Sequence, residues 1–182
     1  YNERALSTAV KKIVEMTTSP IEQVLDQIKN LLAECGVALV MLPYLKNSGL
    51  HGVVKWLSKE KALVAISDRR KYSDTFWFTL FHELGHVFQK RIKDVSYTWE
   101  SDTVDESEHE ADMFAQERLI PADQYQAFVE NGAFSSSAII AFARRINRDP
   151  GIIVGRLQND RLILHSQNNA LRTKIPEICF AI

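Results

Sequence analysis

The sequence predicts an α+β fold, on three observations: two stretches of helical spacing at the start, three short β-type runs in the middle, and longer helical stretches after them. The chain has 182 residues, which by a prior of about 150 residues per domain is one domain's length. Apolar residues make up 46% and charged residues 25%, a globular balance that excludes collagenous, low-complexity and disordered classes.

Ala5, Leu6, Ala9, Val10, Ile13 and Val14 recur at helical spacing until Thr17-Thr18, a first helix. Ser19-Pro20-Ile21-Glu22 then reads as N-cap, first-position proline and capping-box glutamate of a second. That helix carries Val24, Leu25, Ile28, Leu31 and Leu32 and stops before Gly36. Runs rich in Val, Leu and Ile at 37–42, 52–57 and 63–67 are expected to form a small antiparallel sheet, the last two as a hairpin. Helical spacing resumes at about 74–92 and, after a polar loop, at about 105–119. Pro121, Ser135 and Asp149-Pro150 each mark a helix start, and 161–165 reads as a closing strand. The expected division is N-terminal helices over 1–36 and a second unit over 37–182, packed as one body.

The longest apolar stretch, at 37–42, is far shorter than the roughly 20 residues a membrane helix needs, and Tyr1-Asn2-Glu3-Arg4 does not begin a signal peptide. No membrane partner is expected. A net charge of −1 gives no general attraction to nucleic acid, and the arginines between 144 and 161 are interrupted by Asp149 and Asp160. A DNA-reading helix pair there is conceivable, but a solvated or partner-binding cap is the simpler reading. Cys35 and Cys179 stand far apart in sequence, which suits a reducing cytoplasm better than a disulfide scaffold. A chain that begins at Tyr1 rather than Met is expected to be a piece of a longer protein.

The chemistry lies in His82-Glu83-Leu84-Gly85-His86, an H-E-x-x-H. Histidines four residues apart on a helix share a face and can direct ring nitrogens to one ion, while the intervening glutamate reaches a water held there. Phe76, Trp77, Leu80, Phe81, Leu84, Val87 and Phe88 share an arc of roughly 140°, which leaves His82 and His86 near the opposite side, away from the core. A catalytic zinc site needs a third protein ligand, and Glu108-His109-Glu110-Ala111-Asp112 offers two glutamates. Glu108 shares a stripe with Val104, Ala111, Asp112, Ala115 and Leu119, whereas Glu110 falls with Glu106 and Glu117. A carboxylate on an apolar stripe calls for a cation, so Glu108 is the predicted ligand. Asp112, one turn later, is placed to accept the free ring N–H of a ligating histidine. His51, His109 and His165 lack metal-ligand spacing, although His165 at a strand end could donate to an oxyanion.

The segment Phe78-Thr79-Leu80-Phe81-His82-Glu83-Leu84-Gly85-His86, with Glu108, Glu110-Ala111-Asp112, Phe114-Ala115 and Leu119-Ile120-Pro121, resembles the ImmA/IrrE metallopeptidases. The Glu-x-x-x-Asp element is also similar to that of thermolysin-like and Ste24-like zincins, where the first glutamate binds zinc. The resemblance implies a zincin-like fold with a helical C-terminal part and a cytoplasmic protease that cuts a DNA-binding repressor. It extends to HigA-type antitoxins and other XRE-family regulators, where such a domain follows a helix-turn-helix module. Nucleic acid would then be bound only through a module missing from this chain. The expected function is a zinc endopeptidase in which His82, His86 and Glu108 hold the metal and Glu83 is the base. The alternative is a regulatory or sensor domain that keeps the scaffold without turnover; an intact Glu83 favours the enzyme.

Overall fold

A four-stranded sheet in the order β1-β3-β2-β4 supports the site, built from β1 (Val37–Leu42), β2 (Gly52–Ser58), β3 (Lys61–Ser67) and β4 (Val95–Thr98). The computed structural model describes residues 1–43, 49–67, 71–90, 95–98 and 106–177. β2 and β3 form the expected hairpin, and β4 pairs antiparallel with β2 from Gly52↔Thr98 to Lys55↔Val95. β1, however, runs parallel to β3, from Val37↔Ala62 to Leu42↔Ser67, so the sheet is mixed and not wholly antiparallel. In β1 Val37, Leu39 and Met41 are buried and alternate with more exposed residues. Such alternation fixes which face is covered and carries no information about direction.

Two amphipathic helices, α1 (Glu3–Glu15) and α2 (Ile21–Ala33), come first, and the second packs on β1. Asn2 caps α1 by accepting from the Ala5 N–H at 3.0 Å. The second helix starts one residue later than expected: Pro20 is extended, at φ −55° and ψ 135°, and makes no side-chain cap. The turn after α2 needs Gly36, whose φ is +82° and where a Cβ would lie 2.7 Å from the Glu60 carbonyl. Cys35 is a buried free thiol bonded to the Leu31 carbonyl, while Cys179 lies outside the described residues.

The central helix is α3 (Ser73–Gln89), buried along nearly all its length between the sheet and α4 (Glu106–Leu119). Phe76, Trp77, Leu80, Phe81, Leu84 and Val87 form its core side, as their spacing predicts. The opposite side is not exposed: His82 and His86 are each 2% exposed and Glu83 is fully buried. The periodicity of α3 alone assigns that face to solvent because it cannot see the helix that covers it. Close approach of α4 depends on small residues at the crossing, since a Cβ on Gly85 would lie 2.9 Å from the Ala111 Cα. Ala111, Ala115 and Leu119 are buried along α4 as expected, and Val104 of that stripe lies outside the described residues.

The C-terminal part comprises α5 (Ala122–Glu130), α6 (Ser136–Arg145) and α7 (Pro150–Asn159). Ser135 and Asp149 supply the N-caps of α6 and α7, the second with proline at the first helical position. The predicted strand at 161–165 is instead a helix stop. Arg161 takes a left-handed φ of 60°, its N–H bonds the Gln158 carbonyl, and the Leu162 N–H bonds the Leu157 carbonyl. This pair of bonds is a Schellman motif, and it spends the backbone groups a strand would need. Ile139, Phe142, Ile153 and Leu157 are core, and Arg148 bonds the Leu119 carbonyl and Glu15, so α6 and α7 are packed structural helices.

Candidate metal centre

One helical turn separates His82 from His86 on α3, and their Nε2 atoms stand 3.1 Å apart. From the first turn of α4, Glu108 places Oε2 3.2 Å from His82 Nε2 and Oε1 3.1 Å from His86 Nε2. Potential ligand atoms from the three residues all lie within 4.8 Å of one another. Glu110, the rejected alternative, is exposed and meets Gln89 at 3.3 Å. Glu108 and Asp112 sit at the margin of the apolar stripe, with side chains 31% and 46% exposed.

The outer ring nitrogens define the tautomers. His82 Nδ1 lies 2.7 Å from Asp112 Oδ1, an acceptor when ionised, so Nδ1 carries the proton and Nε2 the lone pair. His86 Nδ1 lies 3.0 Å from Gln89 Oε1, and Gln89 Nε2 donates to the Ser107 carbonyl at 2.6 Å. That carbonyl can only accept, which fixes the amide's orientation and gives His86 the same tautomer. The sequence reading missed Gln89, although its position three residues after His86 on one helix is the signal that finds it. With a cation bound, both rings would be neutral and their Nε2 lone pairs would aim at the point that Glu108 also faces. Four acceptor atoms converge there, a set that fits a divalent cation bound by imidazole and carboxylate.

Without a cation the cluster needs a proton. Burial pushes His82 down most strongly, but bonds to Asp112 and Glu108 together outweigh it and raise its pKa from 6.5 to about 9. His86 is also raised: burial opposes, and Glu108 and Gln89 prevail. For Glu108 burial acts upward, yet the two histidines lower it from 4.5 to about 2. The contribution of His82 to metal-free stability is full below about 6.5 and lost as pH rises through about 9. That of Glu108 is present above about 4.5 and lost as pH falls through about 2. A metal must displace the His82 proton, so apparent zinc affinity is expected to rise roughly tenfold per pH unit from about 6.5 to 8.5. Competition with a chromophoric chelator measures this, and a flat profile over that range would show that His82 holds no proton there in the metal-free protein.

Glu83 follows His82 in the helix, and its negative charge helps to raise both histidines. Its side chain lies on the backbone of β2 at Gly52, where a Cβ would come 2.7 Å from Cδ, 2.8 Å from Cγ and closer still to Oε1. Gly52 was also missed in sequence, although a glycine inside a strand marks close approach by another group. His165 is exposed on a turn, and it lines the same cavity as His82.

An α+β scaffold whose two central helices present a His-x-x-x-His pair and a glutamate defines a metallopeptidase-like domain. Residues 37–144 match the family model of the IrrE N-terminal-like domain, Peptidase M78, and the chain belongs to that family. No curated protein matches the chain. Among the described residues, no helix is long and apolar enough to cross a membrane.

Proposed function

We propose that the chain is a zinc-dependent endopeptidase that cuts a protein in the cytoplasm, with a DNA-binding repressor or partner regulator of a toxin–antitoxin or transcription-control system as substrate. The observation that carries this reading is Glu83, a fully buried carboxylate beside the histidine pair. Holding a metal needs only His82, His86 and Glu108, so a further carboxylate buried beside the pair points to proton transfer. Zinc in this site would supply Lewis acidity to the substrate carbonyl and acidity to a water. His82, held by Asp112, and His86, held by Gln89, keep their Nε2 atoms directed at the ion. Glu83 accepts the proton of the attacking water and returns it to the leaving nitrogen, while its burial keeps bulk water from competing.

The test is digestion of denatured casein by protein loaded with one equivalent of zinc, with and without a chelator. Cuts within the chain, lost on chelation and restored by zinc, are the expected result. Fully loaded protein that leaves casein and a panel of helix-turn-helix repressors intact would overturn the enzyme reading in favour of a regulatory domain.

A further inference from the structure

The candidate ligands come from two helices, so the angle at which those helices cross sets whether one ion can reach all three. α3 and α4 meet at Gly85 and Ala111, where a Cβ on the glycine would lie 2.9 Å from the Ala111 Cα. One point of contact leaves a helix able to turn on its neighbour. A turn of about 10° acting over four residues of helix, roughly 6 Å, moves a side chain by about 1 Å. Ligand distances at a metal tolerate only about 0.2 Å, so the crossing has to be held to within a few degrees.

Two side-chain bonds span the helices on either side of that contact. On one side Asp112, next after Ala111, meets His82 Nδ1 at 2.7 Å. On the other side Gln89 stands one turn after Gly85, and Ser107 one turn before Ala111. Gln89 Nε2 donates to the Ser107 carbonyl at 2.6 Å, and its Oε1 accepts from His86 Nδ1 at 3.0 Å. Ser107 is 4% exposed, and a carbonyl has two lone pairs, so it can take this bond besides its helical one. The next residue is Glu108, whose oxygens lie 3.1 Å from His86 Nε2 and 3.2 Å from His82 Nε2. Glu110 Oε2 is a weaker second acceptor for the same Gln89 nitrogen, exposed and at 3.3 Å.

Resting on the metal site of the reading above, we propose that Gln89 is a positioning residue that sets the separation between the α3 and α4 ligands. Its oxygen holds His86, and its nitrogen holds the turn that bears Glu108. Both bonds require an amide, which accepts at one atom and donates at the other; a carboxylate could hold only the histidine.

Cobalt(II) titrated into the metal-free protein tests this, because its visible absorption reports the arrangement of its ligands. Gln89→Leu keeps neither bond and is expected to bind cobalt about 10- to 100-fold more weakly, with an altered spectrum. Gln89→Met, unbranched and adaptable, serves if that variant does not fold. Gln89→Glu still accepts from His86 but sets a carboxylate against the Ser107 carbonyl, and its spectrum should change as well. A double-mutant cycle with Glu108→Gln supplies the second readout. If Gln89 places Glu108, the two changes combined should weaken cobalt at least about threefold less than the product of their separate losses.

Full multiplication in that cycle overturns the proposal, as does wild-type cobalt binding in Gln89→Leu or its substitute. A wild-type spectrum in Gln89→Glu also overturns it, since the bond to His86 would then be sufficient. Wild-type protein that takes up no cobalt, or His86→Ala protein that takes up as much, overturns the metal site itself and the proposal with it.

Discussion

His86→Ala is expected to abolish stoichiometric zinc binding, and Glu108→Ala to come next in severity. His86 contributes one of two Nε2 atoms 3.1 Å apart, and removing it leaves one imidazole and one carboxylate, too few for a closed set of three. Glu108 places one oxygen on each ring, so its loss removes the carboxylate that faces both Nε2 atoms. Asp112→Ala keeps all three ligands but frees His82 Nδ1, and should weaken zinc by about 10- to 100-fold. Glu110→Ala removes an exposed acid and should change stability by less than about 0.5 kcal/mol, with zinc affinity close to the wild type. Zinc dissociation constants for the four variants, measured side by side, give the order. Full zinc retention in His86→Ala would remove the site altogether, and greatest damage from Glu110→Ala would mean that α4 presents a different face to the histidines.

That ordering rests on helical phase, and phase is what one helix's sequence states about itself. The spacing in α4 separates Glu108 from Glu110, and the structure brings Glu108 to the histidine pair. Phase fails where a second element decides the environment. The Phe and Leu side of α3 is legible because it is apolar, but His82 and His86 are covered where α4 approaches, with Gly85 against Ala111, and Glu83 is covered by β2 at Gly52. The parallel pairing of β1 with β3 is hidden for a related reason, since alternation in a strand is the same whichever way its neighbour runs. At 161–165 a β-like composition lost to a local backbone device, a left-handed Arg161 that no apolar pattern announces. Gly52 was unreadable as a site residue because it offers no side chain at all: its contribution is the space it leaves for Glu83.

That space makes the last expectation the most specific one. Glu83→Gln keeps the size of the side chain but removes its capacity to take a proton, so zinc content should be unchanged while cleavage falls by at least about a hundredfold. Gly52→Ala should reach much the same result from the sheet. An added Cβ would sit 2.7 Å from Glu83 Cδ and 2.8 Å from Cγ, and a fully buried side chain between β2 and α3 has no solvent into which to swing. The carboxylate must shift by a fraction of an ångström or more, and misplacement on the scale of 1 Å at a reacting group costs on the order of a hundredfold in rate. The candidate ligands stand on α3 and α4 and not on β2, so zinc should again be retained. With Glu83 as the proposed proton-transfer group, both changes act on one residue, so the double variant should be scarcely slower than Glu83→Gln alone, within about threefold, where independent effects would multiply. Single-turnover cleavage rates with zinc content measured on the same samples decide the matter. Wild-type rates in Gly52→Ala, or multiplication in the double variant, would show that Glu83 does not work from its position against β2.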